Sequence, residues 1–390
     1  MIRISDGINS LGTDTTTSGT YQLKCEQSID YEDGDKFMVL GTMAANISNA
    51  AGQIDNILYV EDSTFSILWL DYLAYIMPRN TSEYYSCFSA AYIDTTSFGS
   101  GTFTAGLYYA RGTAGTLSAR GASLSILKLY DDDYYAAGAA STSSTSPQDA
   151  VTLPPFTLAA DTTFDIIATG LFFKSNTTAN FNMKLVVNGT DYQQNSLRAN
   201  DTANIYPWSG RTRLTLAAGA HTISIQQWVT TSGTVSCQIG QIFVLNVANF
   251  QNTYEAESVA RSTTTNTAYQ DKLTLTQVPQ AGPYDHIFIS TGAVDKGVLA
   301  ESVLNQTLQG ATVLQENLIT PVSGGLAIDQ PYFHMSFDSL ASDSLSFIAQ
   351  YKSLAGALVG IQDCVESLWQ TGGASVEIRS GQFIGGVQIL

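Results

Sequence analysis

The residues of this chain whose types suit chemistry are three histidines, four cysteines and a few clustered carboxylates. His221 opens an alternating apolar–polar run, His286 precedes an apolar run, and His334 lies between Phe333 and Met335. An imidazole acts as a general base or metal ligand only beside partners at fixed spacing. No HExxH, CxxC…CxxC, GxSxG or GxxxxGK[ST] pattern supplies them. Each histidine is therefore read as a strand-edge or partly buried structural residue. Cys25, Cys87, Cys237 and Cys364 stand far apart among small and apolar neighbours. They are expected as buried free thiols of a protein assembled in a reducing cytoplasm.

Glu32-Asp33-Gly34-Asp35 and Asp131-Asp132-Asp133 are hard oxygen donors that suit Ca²⁺. Neither has the alternating spacing of a calcium loop, and consecutive aspartates do not easily converge on one ion. Solvated loops are the preferred reading, and no metal or cofactor is expected. Glycoside hydrolysis needs two carboxylates flanking a cleft, and nothing marks such a pair. Trp69, Trp228 and Trp369 fall in or beside strand patterns and read as core. Trp208, in Tyr206-Pro207-Trp208-Ser209-Gly210, reads as a loop residue and is the one candidate for stacking on a glycan. No catalytic residue is expected.

The elements that must position these residues are strands. The 390 residues are 44 % hydrophobic and 11 % aromatic, with only 13 % charged, about half the usual share. Ser, Thr, Asn and Gln serve as the polar partners of Val, Ile, Tyr and Phe, a β-strand vocabulary. The net charge of −17 with no basic run disfavours nucleic-acid binding. No stretch suits a membrane span or a signal peptide.

One pattern recurs three times: Phe37-Met38-Val39-Leu40-Gly41, Phe164-Asp165-Ile166-Ile167-Ala168-Thr169-Gly170 and Ile287-Phe288-Ile289-Ser290-Thr291-Gly292. Each is followed later by a strand–turn–strand tail, at Gly101 to Leu129, Gly219 to Leu245 and Asp343 to Leu368. Asn188-Gly189 is a strong hairpin signal. The repetition predicts an all-β chain of three tandem jelly-roll-like β-sandwich domains with flexible arms. The expected boundaries are an N-terminal arm at 1–20, sandwiches at 21–130, 150–250 and 264–370, linkers at 131–149 and 251–263, and a C-terminal arm at 371–390. Tyr254 to Arg261 is expected to form a helical turn or two.

Leu185-Val186-Val187-Asn188-Gly189-Thr190, followed by Arg211 to Ala220 and His221-Thr222-Ile223-Ser224-Ile225, resembles the jelly-roll domains of tailed-phage virion proteins. These include capsid decoration (cement) proteins, head fibres and tail-fibre modules. The likeness covers the second unit well and the others only through the repeat. It implies a fold and a virion setting, with no reaction. The expectation is a non-enzymatic bacteriophage structural protein, a homotrimeric decoration protein that binds the major capsid protein or other virion proteins. It would be assembled in the host cytoplasm and contact neither nucleic acid nor membrane. The alternative is a tail-fibre or baseplate protein that binds a receptor or glycan.

Overall fold

The computed structural model describes residues 4–49, 52–63, 67–76, 84–198, 205–277, 284–296, 302–319, 330–338, 345–373, 383–384 and 387–388. Among them the one helical element is a single 3-10 turn, Val247–Asn249. The rest of the regular structure is strand. The first unit comprises β1 (Ile4–Ser10), β2 (Asp14–Thr16), β3 (Gln22–Tyr31), β4 (Lys36–Ile47), β5 (Ile54–Asp62), β6 (Ile67–Ile76), β7 (Tyr85–Asp94), β8 (Gly101–Arg111) and β9 (Leu117–Leu129). The second comprises β10 (Tyr134–Thr142), β11 (Gln148–Leu158), β12 (Thr162–Lys174), β13 (Asn180–Val187), β14 (Thr190–Arg198), β15 (Tyr206–Leu216), β16 (Gly219–Val229) and β17 (Val235–Asn246). The third comprises β18 (Asn252–Ser258), β19 (Ser262–Thr264), β20 (Gln270–Gln277), β21 (Tyr284–Lys296), β22 (Val303–Gln309), β23 (Thr312–Ile319), β24 (Gln330–Asp338), β25 (Leu345–Ser353) and β26 (Val359–Gly373).

Strand order is the same in all three. In the second unit one sheet runs β10-β17-β12-β15 and the other β11-β16-β13-β14. The first unit has β9-β4-β7, with β1 and β2 both on β9, facing β3-β8-β5-β6. The third has β26-β21-β24, with β18 and β19 on β26, facing β20-β25-β22-β23. Counting a broken first strand as one, eight strands divide between two sheets in the orders 1-8-3-6 and 2-7-4-5. That double Greek key is the jelly roll. The recurring aromatic–apolar–Gly patterns are its third strands, β4, β12 and β21, and the repeated tails are its seventh and eighth.

The glycines of that pattern make room for larger neighbours. A Cβ on Gly41 would lie 2.5 Å from a Leu107 methyl, and one on Gly292 would lie 2.8 Å from the Tyr332 ring. Asn188 and Gly189 both have positive φ, at 50° and 79°. That is the type I′ turn the pair predicts, and it closes the β13–β14 hairpin with Val187 opposite Thr190.

The expected arms and linkers are corrected. Residues 4–10 and 14–16 are no arm but the first strand, with Ile8 opposite Leu124 and Thr15 opposite Ser118. The stretch 131–149 holds β10, and 251–263 holds β18 and β19, so Tyr254 lies in a strand and not a helical turn. Each sandwich thus begins one strand earlier than the sequence suggests. Of these first strands β2, β10, β18 and β19 lie at sheet edges, and β1 is flanked by β9 and by only the end of β26; backbone pairing there needs no apolar side chains. Of the expected C-terminal arm, Thr371 to Gly373 complete β26, Phe383–Ile384 and Val387–Gln388 pair as a short hairpin, and 374–382 lie outside the described residues.

The units do not hang as separate beads. β1 pairs with β9 along one side and, in parallel, with the end of β26 on the other, Ile4 opposite Gly372. The first and third units therefore share one continuous sheet. Beyond the interior of each sandwich, the outer faces of the three β12-type sheets form a common core. It gathers Met38, Leu40 and Phe88 from the first unit, Ile167, Phe243 and Leu245 from the second, and Ile289, Phe333, Met335 and Trp369 from the third. Strands such as β4 and β12 are therefore buried on both faces, as their near-continuous apolar runs require.

Candidate functional site

Trp208 is not in a loop. It lies in β15, is 0 % exposed, and its indole N–H donates to Asn195 Oδ1 at 2.8 Å inside the second sandwich. Phe172 meets it edge-on at 6.1 Å. The glycan contact expected there is excluded by burial. Pro207 misled the reading: at a strand's start, on an edge strand, it costs no ladder hydrogen bond. Trp369 is fully buried in the common core; the side chain of Trp69 lies outside the described residues.

The histidines are held by neutral partners. His221 Nε2 meets the Ala217 carbonyl at 2.7 Å, and its Nδ1 accepts from Asn188 at 2.9 Å. His334 is bonded to Thr307 at 2.7 Å and to Asn317 at 2.5 Å, and burial pushes it down to about 3. Gln370 holds His286 at 2.9 Å. All four cysteines are free and buried, and burial pushes the Cys87 and Cys364 thiols up to about 12. These are not reactive thiolates.

The acidic clusters are used as acceptors. Asp33 Oδ1 receives the Ser97 N–H at 2.7 Å, and Asp35 pairs with Lys128 at 2.7 Å. Asp132 receives the side-chain amides of Asn246 at 2.6 Å and Asn249 at 2.7 Å; Asp133 receives the Asn246 and Tyr130 backbone N–H groups at 2.7 and 2.8 Å. The second cluster ties the exit of the first sandwich to the exit of the second.

A buried ionic cluster joins the second and third units. Asp165, 0 % exposed, points from β12 into the common core. Arg211 grips it through two bonds, at 3.0 and 2.6 Å, and Arg213 adds a third at 2.8 Å. Trp369 of the third unit donates its indole N–H to the same carboxylate at 2.9 Å and lies 5.2 Å from the Arg211 guanidinium. Glu255 pairs with Arg213 at 3.0 Å. Burial pushes the Asp165 carboxyl up, but Arg211 and Arg213 outweigh it and hold it at about 2. Gln193 receives the Arg211 backbone N–H and donates to the Asp363 carbonyl at 2.9 Å. Sequence reading missed this cluster. Its signal was present: Arg211 and Arg213 stand two apart, on one face of a strand, in a chain with only 17 basic residues.

The other seams are polar as well. Thr42 and Ser86 both donate to the Phe333 carbonyl, at 2.9 and 3.2 Å, and Arg120 pairs with Glu316 at 3.0 Å while covering the Tyr84 ring at 3.6 Å. Gln241 donates to the Ala90 carbonyl at 2.8 Å.

Inside the third sandwich, His334, Ser290 and Glu366 lie side by side across three strands. They have the residue types of a hydrolytic triad. The imidazole, however, is bonded to Thr307 and Asn317, and all three side chains are 0–1 % exposed. Burial pushes the Glu366 carboxyl up to about 8, against the pull of the Leu275 and Ala349 backbone. Among the described residues His334 is not bonded to Ser290, and the row is closed to solvent.

One open cleft, of about 400 Å³, lies between the first and second units. Tyr92, Tyr130, Tyr134, Tyr135 and Phe156 line it with Pro154, Pro155, Lys36, Asp131 and Asp133. Tyr92 stacks on Tyr135 across the seam at 4.0 Å, and Tyr134 stacks on Phe156 at 4.1 Å.

No protein-family model matches this chain. No curated protein matches it either. Solved structures similar to it include a triple jelly-roll protein of an archaeal virus turret assembly, at 11 % identity, 88 % of this chain, 82 % of that one and a TM-score of 0.20. An infectious bursal disease virus structure (Gt strain) gives 9 %, 99 %, 87 % and 0.23. The tandem CBM22 domains of Paenibacillus barcinonensis Xyn10C give 12 %, 60 %, 93 % and 0.18. Superpositions this loose place the chain in none of these families, and the jelly-roll assignment rests on strand order. Among the described residues no helix is long and apolar enough to cross a membrane.

Proposed function

We propose that this protein is a non-enzymatic structural component of a virion, a capsid decoration or cement protein that binds and stabilises an assembled shell of major capsid protein. One observation carries the reading: three jelly rolls of one strand order are fused through a shared sheet and a common core into one block. Such a block offers broad faces, and a buried ionic cluster and aromatic stacks help hold its units together. The residues expected to grip the shell change with the fold. Residues 4–16 are committed to their own sheet, so contacts fall to the outer sheets and the loops. Self-association as a homotrimer belongs to the same proposal.

The test is to add purified protein to shells that lack it, and to count copies per particle by quantitative mass spectrometry. Saturable binding at hundreds of copies is expected. A few to a few dozen copies confined to the tail would overturn decoration in favour of a tail-fibre or baseplate role, the reading that the open aromatic cleft favours.

A further inference from the structure

We infer that the cleft between the first and second units is a binding site for a neutral saccharide. The inference stands apart from the virion reading, because it rests on the cleft alone. Local sequence opens the cleft. Pro154 and Pro155 have no N–H to give, and β11 is an edge strand, so its pairing with β16 breaks between Leu153 and Phe156. The strand bows away there, leaving both prolines exposed beside the start of β10. The tight turn from Tyr130 to Asp133, pinned by the Asp133–Tyr130 bonds, forms the other lip.

The walls are flat and rigid. The Tyr92–Tyr135 and Tyr134–Phe156 stacks, at interplanar angles of 10° and 26°, fix four rings before any ligand arrives. Preorganised aromatic surface loses little entropy on binding. The ring surface left open on the half-buried tyrosines and the two exposed prolines offer apolar area to the C–H faces of a sugar. The volume of about 400 Å³ falls within the range of about 300–1,000 Å³ typical of small-ligand sites.

The polar groups choose the ligand class. The Asp131 carboxylate and the Tyr134 hydroxyl take part in no hydrogen bond among the described residues, and both line the cleft. Asp133, on the same lip, is already satisfied by two N–H groups. Two carboxylates and a net charge of −17 repel an anion. The Lys36 ammonium in the same lining opposes a cation. An uncharged ligand rich in hydroxyls satisfies all three groups: hydroxyls donate to Asp131, accept from Lys36 and exchange with Tyr134.

The test screens the full-length protein against an array of neutral oligosaccharides, then titrates the strongest hit by calorimetry. Asp131→Asn and Tyr134→Phe remove one polar partner each and leave the stacks intact. Thr215→Ser, on the β12–β15 pair of the second sandwich, serves as the control. Each cleft variant is expected to weaken binding about tenfold, the value of one hydrogen bond to an ionised or aligned group, with the control unchanged. Failure of every neutral saccharide to bind would overturn the inference. So would binding that neither variant weakens, since the sugar would then sit elsewhere.

Discussion

The second and third sandwiches share a strand order and fill it differently. The second has one continuous apolar interior, with Phe164, Phe181, Leu185, Trp208 and Ile225 in a single cluster. The third is split into two clusters, one around Tyr332, Tyr351 and Val359 and one around Phe288, Phe347 and Leu368. Between them run His334, Ser290 and Glu366. The second unit keeps its buried acid, Asp165, on the outer face, where two arginines and an indole meet it. The third keeps Glu366 inside, where no cation among the described residues pairs with it and burial favours its protonated form. One topology thus tolerates a buried carboxyl in two ways, by ion pairing or by a raised pKa, and the choice is set by which face of the sheet it occupies.

Titration breaks that comparison most sharply. Glu366 has its folded pKa raised from 4.5 to about 8. Its stabilising protonation is complete below pH 4.5 and is lost as pH rises through 8. Relative to Glu366→Gln, the wild type should lose up to about 5 kcal/mol across that window. His334 works in the opposite sense, because its folded pKa falls from 6.5 to about 3. Relative to His334→Gln, the wild type should lose stability as pH falls from 6.5 towards 3. Urea unfolding curves at a series of pH values measure both, and parallel curves for wild type and variants would refute them.

Next in size, Asp165→Asn leaves Arg211 buried without its counter-charge. We expect a loss of about 3–5 kcal/mol, read as a lower Tm and as loosening of the second unit from the third in limited proteolysis. Wild-type stability would mean that the cluster merely fills space. Trp208→Phe opens a cavity and strands Asn195, and should cost about 2–3 kcal/mol with no change in glycan binding. Altered glycan binding at wild-type stability would return Trp208 to the surface. The smallest effect is Tyr92→Leu, which removes the Tyr92–Tyr135 stack but keeps most of the apolar bulk and should cost about 1 kcal/mol in thermal unfolding. A loss of several kcal/mol would make that seam as strong as the ionic one.

The sequence was legible where strands are central. The third and eighth strands of each unit carry the repeats because both faces are packed, so their residues must be apolar and their glycines must admit a neighbour's side chain; the seventh strands alternate, with one face packed. The first strands, at 4–16, 134–142 and 252–264, read as arms or linkers from sequence alone. Their composition is polar because β2, β10, β18 and β19 are edge strands and β1 is only half-buried, and backbone pairing leaves no mark on side-chain type. Trp208 was misplaced for a related reason: a proline beside it looks like a loop until the strand is known to be an edge.

Composition, alternation and the threefold repeat determined an all-β chain, three sandwiches, buried thiols, structural histidines and the Asn188-Gly189 turn, because each follows from local preference, from burial of a face or from a repeated pattern. Tertiary structure alone decided that the three sandwiches share one core, that Asp165 meets Arg211 and Trp369, that Glu366 is kept neutral, and that a cleft opens beside Pro154 and Pro155. Those features depend on which outer face meets which. That is fixed by long-range packing between units, and no window of sequence contains both partners.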